Sequence, residues 1–196
     1  MRQALQGPSA RRVELLEAAY QYVLRHGIGE LSLRPLAAAI GSSPRVLLYL
    51  FGSKEGLVRA LLARARADEL ALLGPDDRPD RSSRTLPDAA RWVWSWLASA
   101  DHQALLRLWL EAYTRSLVDP DGPWGDFARS TVEDWLAVLA DAQSPAERDS
   151  QDGLAERTLV LAVLRGALLD LLATGDVERT TAGVHRCLAR SGGRRK

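Results

Sequence analysis

The residues with the most specific chemistry lie in "SSPRVLLYLFGSKEGL", positions 42–57. Arg45 and Tyr49 stand four apart, so on a helix they share a face. A guanidinium is a planar fork of donors that matches guanine O6 and N7, and an aliphatic neighbour such as Val46 can cover a thymine methyl. Tyr49 offers a hydroxyl to a base edge or a phosphate. Ser43 and the amides at the helix start suit phosphate oxygens, which helix N-termini attract. Lys54 opens the next helix and can reach the nucleic-acid backbone. Arg34, near the start of the preceding helix, is placed to reach in from a groove edge, and Arg11 and Arg12 add nonspecific attraction. For the charged members a solvated surface position is the plainer alternative.

Catalytic chemistry has no comparable constellation. His26, His102 and His185 are scattered, and His185 with Cys187 does not complete a metal set. There is no G-x-S-x-G, no phosphate loop and no H-E-x-x-H. Asp76–Asp77 and Glu133–Asp134 read as solvated carboxylates. Expected, then, are no enzyme activity, no metal and no cofactor. The single cysteine excludes an intrachain disulfide.

A second group is aromatic. All six tryptophans lie in the middle of the chain. Trp92 and Trp96 are four apart on one helix face, with Trp94 pointing elsewhere, and Trp109 and Tyr113 form another such pair. With Trp135 these are candidate walls of a pocket for an apolar or aromatic small molecule. Plain core packing, with tryptophan chosen for bulk, is the alternative.

Helical patterns must position both groups. In "SARRVELLEAAYQYVLRHG", Val13, Leu16, Tyr20, Val23 and Leu24 share a face, Ser9 is a cap and Gly27 a stop. "SLRPLAAAIG" places Leu33, Leu36, Ala37 and Ile40 together, with Ser32 as cap and Pro35 in the first turn. The apolar run Val46–Phe51 suits a buried strand, but no other segment reads as a strand to satisfy its N–H and C=O groups. Ser43 followed by Pro44 is instead an N-cap with proline at the first helical position. The segment 44–50 therefore reads as a two-turn helix, held by Leu47, Leu50 and Phe51 and presenting Arg45, Val46 and Tyr49. Two helices joined by a tight glycine-containing turn make a helix-turn-helix, whose second helix fits the major groove. Ser53 opens a further helix to about Leu73. A polar loop, "GPDDRPDRSSRT", precedes helical patterns near 86–99, 102–118, 124–142, 151–173 and 176–190.

Charge divides the chain in the same way. Residues 1–66 hold ten Arg/Lys against four Asp/Glu, a net +6, and residues 67–196 hold sixteen against twenty-one, a net −5. A basic third on an acidic remainder suits a polyanion reader joined to something else. Of 26 basic residues only two are lysine, and one of them is Lys54. The apolar stretch "TLVLAVLRGALLDLLAT" is broken by Arg165 and Asp170, so no membrane span is expected. Without an apolar N-terminal core of signal-peptide type, the expected location is the cytoplasm. The tail "SGGRRK" reads as a solvated end.

The run "LSLRPLAAAIGSSPRVLLYLFGSKEGLVRALL" resembles the DNA-binding domain of the TetR family of transcriptional regulators over residues 10–62, and "LRGALLDLLATGD" is similar to the penultimate helix of many actinobacterial members. The resemblance implies an all-α homodimer. A three-helix helix-turn-helix domain (10–53) is joined by a connecting helix (54–73) to a C-terminal bundle (86–191) that binds an effector and dimerises. It implies a cytoplasmic, ligand-responsive repressor on a pseudo-palindromic double-stranded operator. By position, the residues matching the family's usual DNA contacts are Arg34, Ser43, Arg45, Val46, Tyr49 and Lys54. Leu48 and Leu50 depart from the pattern, standing where members often carry an aromatic and a histidine. A small-molecule- or partner-binding protein that has lost specific DNA binding is the alternative. Leu159, Ala162, Val163, Gly166, Leu169 and Leu172 recur at helical spacing. They suit a twofold four-helix interface or burial within one chain, and the resemblance selects the interface.

Overall fold

The computed structural model describes residues 8–72 and 85–192. The segment over 74–84 that the sequence reads as a polar loop, with Asp76 and Asp77, and the tail beyond 192 lie outside the described residues. Those described form helices α1 (Pro8–His26), α2 (Leu33–Ala39), α3 (Pro44–Phe51), α4 (Lys54–Leu72) and α5 (Leu86–Leu97). A 3-10 turn at Ala100–His102 leads into α6 (Gln103–Val118), followed by α7 (Phe127–Ala140), α8 (Pro145–Arg148), α9 (Gln151–Thr174) and α10 (Val177–Gly192). The fold is all-α, with no strand among the described residues. Among them, too, no helix is long and apolar enough to cross a membrane.

The chain divides into two compact units. The first comprises 1–69 with 107–129, and the second 70–106 with 130–196. In the first, α1, α2 and α3 pack on one another. α1 begins at Pro8, before the cap expected at Ser9. Its buried row is Leu15, Ala19 and Val23, joined by Tyr20. Four-residue spacing keeps that row on one side, and Val13 falls outside it, 65% exposed. In α2, Leu36 and Ala37 are buried as the pattern requires, while Leu33 and Ile40 are half-buried. Ser32 has the extended backbone of a cap, but its side chain makes no capping bond.

Polar contacts bind α1 to α4. The Tyr20 hydroxyl donates to Asp68 at 2.8 Å, and Arg64 reaches Glu17 at 2.9 Å and Asp68 at 3.2 Å while lying 4.7 Å over the Tyr20 ring. Burial first, then the Asp68 bond, push the Tyr20 hydroxyl well above its ordinary pKa, so it remains a donor. The turn after α1 is held from α6, where the Glu111 carboxylate accepts from the Ile28 amide at 2.9 Å.

In the second unit α5, α9 and α10 pack together and α8 lies on α9. Trp94, Val93, Leu164, Leu168, Val184 and Leu188 are among its buried residues. The Trp94 indole donates to Thr181 Oγ1 across α5 and α10 at 2.9 Å. Arg179 of α10 forms a two-pronged pair with Asp170 of α9, at 2.7 and 2.6 Å, which lowers the Asp170 carboxyl. The short helix α8 has no counterpart in the apolar pattern, being four residues with none buried.

Candidate nucleic-acid interface and aromatic clusters

α3 is a helix made by its ends. Ser43 is extended at φ −131°, ψ 153°, and its Oγ accepts from the Val46 amide at 3.3 Å. Pro44 follows at the first helical position, where no N–H is needed. Gly52, at φ 80°, ends the helix and donates its amide to the Leu48 carbonyl at 2.8 Å. A left-handed φ costs glycine nothing, so the reversal stops the helix after two turns. Eight residues cannot hold a helix in water unaided. Leu47 and Phe51, 1% and 8% exposed, seat it.

The opposite face is open. Arg45 and Val46 are exposed, and Tyr49 is 79% exposed. That is unusual for an aromatic ring and suits a surface awaiting a partner. Leu50 is half-buried rather than fully inward, and Leu48, three residues after Arg45 on the same side, is 40% exposed. Arg34 on α2 and Lys54 at the start of α4 are exposed as well. Ser43 uses an oxygen lone pair on its cap, which leaves the hydroxyl proton for another acceptor. The Ser53 Oγ caps α4 by accepting from Gly56 at 3.0 Å. Glu55 beside it stays anionic, held below the usual carboxylate range first by its own backbone amide and then by Ser53.

Arg12 has a more definite place than its sequence position suggests. Its guanidinium lies 5.1 Å over the Phe51 ring, at the end of α3. Cation–π attraction holds it beside the exposed helix. The signal for this was the charge of Arg12 alone, and its partner stands 39 residues later in the chain.

The aromatic candidates fall into two groups. Trp92, Trp96 and Trp135 belong to the second unit, where Trp96 and Trp135 meet at 6.2 Å between ring centroids, tilted by 60°. His102 stacks on Trp96 at 4.5 Å and 24°. Trp92 is half-buried. Trp109 and Tyr113 belong to the first unit and pair at 4.9 Å, as their spacing predicts. Sequence had kept His102 apart as a stray histidine. Its partner is six residues away across a 3-10 turn, a spacing no helical pattern reveals. Among the described residues no group of His, Cys, Asp and Glu could hold a metal ion.

Comparison with known proteins bears on the fold and on the N-terminal domain. Residues 15–61 match the family described as bacterial regulatory proteins, tetR family. No curated protein matches the chain in sequence. Among solved structures, a TetR-family transcriptional regulator from Rhodococcus sp. superposes with a TM-score of 0.73 at 19% identity, covering 92% of this chain and 97% of that one. A transcriptional regulator from Streptomyces coelicolor A3(2) gives 0.69 at 21%, covering 92% and 96%. The multidrug binding protein EbrR, complexed with imidazole, gives 0.59 at 27%, covering 91% and 89%. Residues 15–61 therefore carry an N-terminal domain of the tetR family, and the chain as a whole has the all-helical fold of these regulators.

Proposed function

We propose that the chain is a dimeric, ligand-responsive repressor of transcription. Its DNA-binding head is residues 10–53, its connecting helix 54–73 and its effector-binding and dimerisation region 86–191. Two copies of α3 read the half-sites of a pseudo-palindromic operator, about one helical turn apart. Arg45 reads guanine, Val46 meets a thymine methyl and Tyr49 takes a base edge or phosphate. Ser43 and Lys54 grip phosphates, Arg34 reaches in from the groove edge, and Arg12 adds a further cation. The single observation that carries this reading is a short helix with Leu47 and Phe51 seated and Arg45 and Tyr49 left open. A small apolar or aromatic effector, bound at the aromatic candidates of the second unit, Trp92, Trp96 and Trp135, releases the DNA. The change in DNA affinity can be no larger than the effector's own preference between the two states. EbrR, a multidrug binding protein of the same fold, supports a small-molecule effector. Its cellular place is the cytoplasm.

The dimer forms through the outer face of α9. Leu159 and Leu169 are 56% and 49% exposed there, with Ala162 and Gly166 open between them. Leucines at that exposure, spaced by small residues, suit close packing against a twofold copy.

Genomic fragments captured by the purified protein test the reading. One or a few sites with inverted symmetry are expected, whereas fragments enriched without a shared sequence would reject it. Leu48 favours a second reading, a small-molecule- or partner-binding protein without specific DNA binding. An open leucine on the reading face can touch a methyl but offers no hydrogen bond.

A further inference from the structure

The fold treats two buried tryptophans of α5 differently. Trp94, 1% exposed, donates its indole proton to Thr181. Trp96, 8% exposed, has a buried indole nitrogen for which the described residues provide no acceptor. An indole N–H can only donate, and a buried donor left without an acceptor keeps the full cost of its lost hydration. The surroundings are aromatic and fixed. His102 stacks on Trp96, and its Nδ1 lies 2.8 Å from the Trp96 carbonyl oxygen. A carbonyl only accepts, so Nδ1 carries the proton and the imidazole is locked by the backbone it covers. Trp135, 5% exposed, is tilted against Trp96 from α7. All three belong to the second unit.

We propose that Trp96 Nε1–H is the anchoring donor of an effector subsite walled by His102 and Trp135. Its ligand is a planar aromatic compound carrying an unprotonated acceptor, a ring nitrogen or a carbonyl, at the ring edge. The apolar rings bury the body of such a ligand, and the indole proton selects the acceptor. A bare hydrocarbon leaves the donor unpaired. A protonated ring nitrogen meets a second donor and is refused. The proposal rests on the ligand-responsive reading above and narrows it to one chemical class, centred on Trp96.

The test uses the full chain with isotope-labelled indole nitrogens, titrated near neutral pH with quinoline and with naphthalene. These probes have the same shape, and only quinoline carries a ring nitrogen. Trp96→Phe identifies the Trp96 signal and removes the donor. Should that variant fail to fold, the other five tryptophans, replaced one at a time, identify the signal by elimination. The expected result is a downfield shift of the Trp96 indole signal with quinoline only, and binding roughly tenfold tighter than naphthalene. In Trp96→Phe the two probes should bind within about twofold of each other. The proposal is overturned if neither probe binds, if the Trp96 signal stays still at quinoline saturation, or if the preference survives in Trp96→Phe. An unmoved signal with cross-peaks to solvent would show that an internal water satisfies the indole. Parallel titration of a genome-selected DNA fragment separates the two levels. Quinoline bound at Trp96 without loss of DNA would sustain the subsite and remove the release mechanism. Specific DNA binding with an inert Trp96 would remove the subsite alone.

Discussion

At the scale of single residues, Arg45 and Lys54 make opposite predictions. Arg45→Ala should cost about 1–3 kcal/mol at one base position and relax specificity there. Lys54→Ala should weaken every sequence alike and flatten the salt dependence by roughly one ion per monomer. Binding titrations of both variants on a selected site and its single-base variants check this. Equal, sequence-blind losses would strip Arg45 of its base-reading role. Tyr20 yields a pH prediction. Its folded pKa is raised, so its stabilising contribution is complete below the unfolded value, about 10, and is lost as pH climbs above it. Tyr20→Phe should lower stability by about 1 kcal/mol near neutrality and flatten the alkaline loss, read by urea unfolding at several pH values. A variant that keeps the full alkaline loss would place its cause elsewhere.

At the scale of elements, what could be read from sequence was what depends on neighbours in sequence. Ser43, Pro44 and Gly52 settle α3 within ten residues, so a helix was legible where the apolar run alone suggested a strand. The bounds of α5, α6, α9 and α10 follow from periodic apolar residues and fall within a few positions of expectation. Contacts made across distance were not legible. Arg12 on Phe51, His102 on Trp96 and Glu111 beneath the turn at Ile28 carry no local pattern. Facing directions near helix ends were read imperfectly too. Val13 and Leu50 sit closer to solvent than a simple helical wheel assigns them, because a helix seats only the residues its neighbours reach.

The turn after α1 can be probed at the same scale. A Cβ at Gly29 would overlap Glu111 Oε1, whose partner oxygen holds the Ile28 amide. Gly29→Ala should therefore push the carboxylate aside and cost about 1 kcal/mol or more. Glu111→Gln, which keeps an accepting oxygen, should cost less than Glu111→Ala. Thermal unfolding checks the order, and a harmless Gly29→Ala would mean that the Ile28 amide needs no help from Glu111. Ser43→Ala should cost about 1 kcal/mol through the cap of α3, with a loss of DNA affinity larger than its loss of stability, since the reading helix itself frays.

At the scale of the whole molecule, two kinds of surface stand out, an open face on α3 carrying Arg45 and Tyr49 and a small-residue, leucine-bearing face on α9. If the second joins two copies, then Leu159→Glu with Leu169→Glu should yield a folded monomer by sedimentation. Half-site DNA binding should survive in it and full-site affinity should fall by a hundredfold or more, on the order of what linking two heads supplies. A variant that remains dimeric would move the interface elsewhere. The tetR-family N-terminal domain was legible from the first third of the chain because capping, turn and core residues are dense there. The proposed effector region was legible only as an excess of tryptophan, since pocket shape depends on which rings meet and whether their polar atoms are paired.

The most direct test of the central claim, that α3 is an outward-facing reader of base pairs, is a salt titration. The protein is titrated with a genome-selected fragment and with random DNA from low to physiological ionic strength. Counterion release weakens both. A base reader keeps a gap of about a thousandfold or more throughout, and Arg45→Ala narrows it. Two curves that fall together and merge, with Arg45→Ala no different from the parent chain, would contradict the account.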